Sequence, residues 1–212
     1  MNTPKVRLAI GLICGALMAI VTSQPQSVFA ADTRSPELRM FELYRNGSQV
    51  SNQHQFLSFD ANDQSGGTVA VCDLNGDGSS EVVVGSGAGK SPEVKVFGIT
   101  GNLIASFAPY DSSMMAGVNV ACGNLNADKK GEIVVGPGNG GAAHIRVFGM
   151  KGKPRFTLGF FAYDTQFRGG ANVAVGNIDG KKGDEIITGA GPGGGAQVRV
   201  FNKKGKSLGM DF

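Results

Sequence analysis

The amino-acid sequence predicts an all-β protein: a β-propeller-like chain of about three four-stranded antiparallel blades plus an N-terminal half-blade. Three observations predict this fold. Glycine supplies 34 of the 212 residues, short β-branched and aromatic segments recur along the chain, and they recur in one register. Glycine at this frequency, without a collagen period, indicates many tight turns. After residue 30 we find no convincing helical period over eleven or more residues.

Internal repetition is the strongest of these observations. Phe97, Phe148 and Phe201 each end a short Val/Ile-basic-Val-Phe segment, and they lie 51 and 53 residues apart. The same two spacings separate the glutamates that open the preceding apolar runs: Glu81, Glu132 and Glu185. Since independent markers keep one register over three copies, the chain consists of repeated structural units.

Each unit contains four short strand-like segments, at 69–72, 81–85, 93–97 and 103–110 in the first copy, bounded by turn residues. We therefore expect antiparallel meanders, with blades at about 67–111, 117–164 and 170–212. Residues 38–60 match only the third and fourth strands, which predicts the half-blade. A β-sandwich is the rival fold, but it does not require the same loops in the same register three times.

The N-terminal residues resemble a signal for export. Basic Lys5 and Arg7 precede an apolar run and a short-residue site at Val28 and Ala30. We predict a signal peptide at 1–30, a short linker at 31–37 and a propeller domain at 38–212. The predicted location is secreted or extracytoplasmic, in a periplasm or at a cell surface, with no membrane span after cleavage. An uncleaved membrane anchor is the alternative.

Charge and cysteine content restrict the expected partners. After removal of the predicted signal, 18 basic and 17 acidic residues remain, so the near-neutral chain gives no electrostatic reason to expect binding to nucleic acid or anionic lipid. Cys72 and Cys122 lie one step out of register between repeats. In alternating strands they should face opposite ways, so we expect two buried thiols rather than a disulfide bridge.

One loop has the chemistry of a calcium site. Asp73, Asn75, Asp77, the main-chain carbonyl of Ser79, and Glu81 place oxygens at alternate positions of a glycine-containing turn. Flanking strands, and a valine where an EF-hand requires glutamate, argue against an EF-hand. We predict one bound calcium ion here; the alternative is an Asx-rich turn that hydrogen-bonds its own backbone.

The two later copies of this loop are weaker candidates for calcium. The second copy has lost the first carboxylate, and the third has a cation where the third carboxylate should stand. In the third copy we expect either that the Lys181 ammonium replaces the ion, pairing with Asp179 and Glu185, or that it points to solvent. The corresponding positions are Asn124, Asn126, Asp128, Lys130 and Glu132 in the second copy, and Asn177, Asp179, Lys181, Gly183 and Glu185 in the third.

The repeat resembles FG-GAP and VCBS repeats, the blades of integrin α-chain N-terminal propellers and of related bacterial secreted proteins. The matching features are the glycine pair 66–67 before the first strand, the acidic loop 73–78 and the Gly-Ala-Gly-Pro-Gly turn at 189–193. The resemblance extends over about residues 38–212. It implies an extracytoplasmic propeller that serves adhesion or ligand binding, and it names no ligand.

A catalytic role is not expected, and we predict neither catalytic residues nor an organic cofactor. His54 and His144 lie in dissimilar contexts and form no triad. The Tyr110-Asp111 and Tyr163-Asp164 pairs fit a sugar-binding rim, but packing of the tyrosine between blades with an aspartate-capped turn is the favoured interpretation.

We therefore predict a calcium-stabilised binding or adhesion module for an unknown protein or glycan, with a lectin-like or purely structural envelope role as the alternatives. An open arc of three and a half blades also predicts self-association or association with another protein.

Overall fold

The computed structural model describes residues 26–31, 37–43 and 55–212, and all regular structure in them is β-strand. Three four-stranded antiparallel sheets follow one another, each in sequential order. We call them blade 1 (β4–β7), blade 2 (β8–β11) and blade 3 (β12–β15). The prediction of an all-β chain with three four-stranded sheets is confirmed. None of the described residues forms a helix that could cross a membrane.

The strand boundaries follow the repeat. Blade 1 contains β4 (Gly67–Cys72), β5 (Glu81–Ser86), β6 (Val94–Phe97) and β7 (Leu103–Phe107). Blade 2 contains β8 (Val118–Gly123), β9 (Glu132–Pro137), β10 (His144–Phe148) and β11 (Phe160–Phe161). Blade 3 contains β12 (Ala171–Gly176), β13 (Glu185–Ala190), β14 (Val198–Phe201) and β15 (Ser207–Asp211).

A fourth, three-stranded sheet precedes blade 1. It consists of β1 (Gln26–Ala31), β2 (Glu37–Leu43) and β3 (Gln55–Leu57) in that order. Strands β2 and β3 occupy the predicted half-blade, and β1 pairs with β2 and contacts β4. Cleavage after Ala30 stays a prediction, and it would remove all but the last residue of β1.

The blades pack face to face through their first strands, since β4 contacts β8 and β8 contacts β12. The second strands β5 and β9 are buried along their whole length. Glycine makes the close approach possible: a Cβ on Gly85 would lie 2.5 Å from the carbonyl oxygen of Val118, and one on Gly136 would lie 2.6 Å from that of Ala171. Any side chain at these positions would push neighbouring blades apart.

Cys72 and Cys122 form a disulfide with a Cα–Cα distance of 6.1 Å, so the prediction of two free thiols was wrong. The two residues do face opposite sides of their own sheets. However, the front of blade 1 stacks on the back of blade 2, and residues on opposite faces of successive blades therefore meet. The same pair of positions in the next interface holds Gly123 and Val175, which are in contact without a covalent link.

The disulfide closes a loop with a sequence separation of 50 and ties blade 1 to blade 2. For a loop of this length, chain-entropy arguments give about 4 kcal/mol. We expect the double variant Cys72→Ala/Cys122→Ala to lose about that much free energy of unfolding in urea titration. Unchanged stability, or two titratable thiols in the native wild type under non-reducing conditions, would contradict the bridge.

Candidate metal loop and its two copies

The first loop connects β4 to β5, and its acidic side chains hold the loop's own backbone. One carboxylate oxygen of Asp73 accepts the N–H of Gly76 at 2.6 Å, and the other accepts that of Gly78 at 2.8 Å. Asn75 accepts the N–H of Asp77, which in turn accepts that of Ser79. Gly76 and Gly78 have positive φ angles of 83° and 89°, which glycine adopts without steric cost. These bonds form successive Asx turns.

Glu81 is the first residue of β5, and its side chain bonds back to the loop. Its side chain is buried, and its carboxylate accepts the N–H of Leu74 at 2.7 Å and the side-chain amide of Asn75 at 2.8 Å. Burial raises the pKa of Glu81, and the neighbouring charges of Asp77 and Asp73 raise it further. The loop thus concentrates negative charge around a half-desolvated carboxylate, and none of the described residues makes an ion pair with it.

The donor set suits a hard cation, because three carboxylates, an amide oxygen and a main-chain carbonyl lie on one short turn. In the described residues no three acidic, histidine or cysteine side chains converge closely enough to hold an ion. Ligation therefore requires Asp73 and Asp77 to exchange backbone N–H partners for the ion. The set Asp73, Asn75, Asp77, Ser79 and Glu81 remains a prediction.

The second loop, between β8 and β9, is paired with a cation from another part of blade 2. Glu132 takes the place of Glu81, accepts the N–H of Leu125 and is buried. The Arg155 guanidinium lies 3.3 Å from the Glu132 carboxylate and 3.9 Å from that of Asp128. Burial raises the pKa of Glu132, while Arg155 opposes the rise. Sequence reasoning missed Arg155, because it lies beyond the next hairpin and only the fold brings it back to the loop.

The third loop, between β12 and β13, uses lysine. The Lys181 ammonium lies 2.9 Å from the Asp179 carboxylate, and this hydrogen bond lowers the pKa of Asp179. Glu185 instead accepts the N–H of Ile178 at 2.8 Å. The predicted pairing of Lys181 with Asp179 is confirmed, but the structure shows no ion pair between Lys181 and Glu185. The Lys181 side chain is 80% exposed, so its pair with Asp179 lies at the surface.

Each loop also hydrogen-bonds the next one. Gly131 donates its N–H to the carbonyl oxygen of Asp73 at 2.8 Å, and Asp184 donates its N–H to that of Asn124 at 2.9 Å. Asp184 further accepts the N–H of Asn124 through its carboxylate. The conformation of each loop is therefore coupled to the interface between consecutive blades.

A comparison with protein families identifies the repeat that carries the first loop. The family model described as FG-GAP repeat matches residues 65–101. This segment is similar to an FG-GAP repeat. It covers β4, β5 and β6, with the acidic loop between the first two. No curated protein sequence matches the chain at a significant level.

The tyrosines of the repeat pack between blades. The Tyr110 hydroxyl lies 3.0 Å from the carbonyl oxygen of Val135 and 2.7 Å from that of His144, both in the following blade. Tyr163 makes the equivalent contacts with Thr188 and Gln197, each at 2.9 Å. The favoured interpretation is confirmed, and these rings are not free to form a sugar-binding rim.

The aspartates that follow the tyrosines cap turns, as expected. Asp111 accepts the N–H of Ser113, and Asp164 accepts that of Gln166. His144 stacks on Phe161 with a centroid distance of 4.8 Å, and burial lowers its pKa. His54 lies outside the described residues.

The pairing of Arg155 with a buried glutamate predicts a pH-dependent stability change. In Arg155→Met, the Glu132 carboxylate loses its cation, and its pKa rises further above the unfolded value. The variant should lose about 1–2 kcal/mol of its free energy of unfolding at neutral pH. The loss is modest because the guanidinium is partly exposed to solvent. The loss should shrink as pH falls and Glu132 becomes protonated.

Urea unfolding at several pH values measures this effect. Lys181→Met is the matched control in the third loop, and it should leave the free energy of unfolding close to that of wild type, because Lys181 is exposed. An equal loss in both variants, or a loss for Arg155→Met that grows on acidification, would refute the assignment.

Proposed function

We propose that the chain is an extracytoplasmic, non-catalytic binding module whose first blade is stabilised by one calcium ion. The observation that supports calcium is the contrast between the three loops. The second loop is paired with Arg155 and the third with Lys181, whereas the first has the most carboxylates and makes no ion pair with a described residue. The first loop also lies in the segment that matches the FG-GAP repeat.

In this proposal Asp73, Asn75, Asp77, Ser79 and Glu81 hold the ion. Its charge offsets the burial and the neighbouring carboxylates that together raise the pKa of Glu81. Because Gly131 bonds to the carbonyl of Asp73, an ordered first loop also strengthens the contact between blades 1 and 2. Calcium therefore acts on stability by linkage, since it binds the folded loop and not the unfolded chain.

The binding role rests on the frame that the blades provide. FG-GAP repeats are typically extracellular, and loops at the ends of rigidly packed sheets can present contacts to a protein or a glycan. The disulfide supports an oxidising, extracytoplasmic location. A glycan array and a pull-down with surface proteins would distinguish a lectin-like module from a protein adhesin. If neither experiment finds a specific ligand, a structural envelope role is favoured.

The calcium proposal predicts different results for two equivalent aspartates. Asp77 and Asp128 each accept the N–H two residues ahead, so their substitutions perturb the turns alike. Wild type and Asp128→Asn should each bind one Ca²⁺ in calorimetry, and Asp77→Asn should bind none. At a free Ca²⁺ concentration one hundred times Kd, chelation should lower the wild-type Tm by about 5–10 °C without unfolding the protein.

Two results would contradict this proposal. One is retention of Ca²⁺ binding by Asp77→Asn with wild-type affinity. The other is a wild-type melting temperature that is the same with calcium and with chelator.

We also propose that the outer face of blade 3 binds a second copy of the chain. In the two internal interfaces, Thr68 donates to the carbonyl oxygen of Val118, and Asn119 donates to that of Ala171. Asn172 is the third equivalent; it is exposed, and its side chain has no hydrogen-bond partner among the described residues. A Cβ on Gly189, the equivalent of Gly85 and Gly136, would meet only the Cβ of Asn172 in the same blade, at 3.9 Å.

Burial of apolar residues follows the same pattern. Leu74 and Leu125 are 3% and 4% exposed beneath the following blade, whereas Ile178 at the third position is 46% exposed. The free face of blade 3 thus resembles the faces of blades 1 and 2, on each of which the following blade packs. Its complement is the leading face of a blade, which a second copy would supply in a head-to-tail arrangement.

The assembly proposal predicts that wild type forms dimers or larger species at tens of micromolar in light scattering. Ala174→Arg places a charge on the free face and should give monomers. Gln166→Arg, in an exposed turn away from that face, should assemble as wild type does. A wild-type monomer at all concentrations, or assembly unaffected by Ala174→Arg, would refute the proposal.

A further inference from the structure

The topology gathers two loops of every blade at one end of the molecule. In an antiparallel meander the connection from first to second strand and that from third to fourth lie on the same side of the sheet. We call this side the loop end. It includes residues 73–80 and 98–102 in blade 1, 124–131 and 149–153 in blade 2, and 177–184 and 202–206 in blade 3. The backbone bonds between consecutive first loops keep these ends side by side.

Blade 2 presents four exposed lysines at the loop end. Lys129 and Lys130 lie in its first loop, and Lys151 and Lys153 lie in the hairpin between its third and fourth strands. None of the four makes an ion pair with a described residue. All four are exposed, and the Lys130 side chain passes close to Gly76 of the first loop of blade 1.

Blade 3 repeats the pattern in both loops. Lys181 and Lys182 occupy its first loop, and Lys203, Lys204 and Lys206 occupy its hairpin. Of these, only Lys181 makes an ion pair with a described residue, Asp179. Lys203 is half-buried, and the other four are exposed.

The charge at the loop end is strongly asymmetric. With Arg155, blades 2 and 3 place ten basic and five acidic residues there, and two of those acids, Glu132 and Glu185, are buried. Blade 1 has three carboxylates at the equivalent positions and no basic residue. A net charge of +3 for the whole chain therefore conceals a basic surface confined to two blades.

Two apolar side chains are exposed on the outer edge of blade 2, where residues 156–159 bulge beside β10. Leu158 is 79% exposed and Phe156 is 36% exposed, both in the segment between β10 and β11. The Phe156 ring lies 5.5 Å from both the Arg155 guanidinium and the Lys203 ammonium, which fixes its position at the junction of the two blades. Exposed apolar groups among lysines are typical of surfaces that bind the interface of an anionic membrane.

We propose that the loop end of blades 2 and 3 binds the surface of an anionic phospholipid bilayer. The lysines contribute long-range attraction to the headgroups, while Leu158 and Phe156 enter the boundary between headgroups and acyl chains. An anionic polysaccharide offers the charge but no apolar layer for these two side chains, so the bilayer is the better partner for this surface.

Vesicle flotation tests this proposal with the full chain in the presence of chelator, so that calcium bridging does not contribute. Wild type should float with phosphatidylcholine vesicles that contain 30% phosphatidylglycerol and not with pure phosphatidylcholine. The double variant Lys151→Gln/Lys153→Gln should bind at least about tenfold more weakly. Each lysine near an anionic surface raises the affinity by a factor of about three to five. Leu158→Ser should weaken binding several-fold without changing its salt dependence.

Lys90→Gln/Arg168→Gln removes the same number of charges from the opposite end and should bind as wild type does. Matching thermal melts confirm that all variants are folded. The proposal is overturned if wild type fails to float with anionic vesicles, if it floats equally with neutral ones, or if the control variant loses as much binding as the lysine variant. Retention on heparin without vesicle binding would assign the surface to an anionic polysaccharide instead.

Discussion

Close packing of successive blades is the constraint on which the rest of the structure depends. It requires a residue without a side chain at Gly85 and Gly136, where the carbonyl oxygen of the next first strand takes the space of a Cβ. With the sheets in this contact, hydroxyl, amide and tyrosine groups of one blade reach the backbone of the next. The same packing puts all first loops in a row, and the metal loop, its charged copies and the lysine-rich surface follow from that alignment.

The three acidic loops solve one electrostatic problem in different ways. Each loop keeps a buried glutamate whose carboxylate caps the backbone N–H of a nearby residue: Leu74, Leu125 or Ile178. A buried carboxylate is costly unless it is paired and hydrogen-bonded. Blade 2 supplies a guanidinium from its own outer edge, and blade 3 supplies an exposed ammonium for the accompanying aspartate. Under the calcium proposal, blade 1 leaves the charge to an ion from solution, and its stability would then respond to the free calcium concentration.

The sequence was sufficient for the strands and the repeat because both depend on local chemistry. Glycine-bounded β-branched runs and a register kept by Phe97, Phe148 and Phe201 specify the meanders without knowledge of their packing. The sequence could not show what depends on how the sheets meet. Side-chain alternation correctly placed Cys72 and Cys122 on opposite faces, but only face-to-face stacking reveals that those faces touch. Arg155 was missed for the same reason, and overall charge could not reveal lysines that the topology collects at one end.

The free face of blade 3 and the basic loop end are consequences of the same repeat geometry, and together they have an effect that neither has alone. Blade-to-blade docking keeps the first loops of both partners on one side, because the contact that aligns Asp73 with Gly131 is specific to that orientation. A second copy that docks on blade 3 in this manner would present its lysines on the same side as those of the first. Two weak contacts with one bilayer then act as a single bivalent contact, whose strength exceeds that of either because the second attachment is intramolecular. Assembly on the free face would therefore convert a modest electrostatic attraction into stable attachment at the membrane.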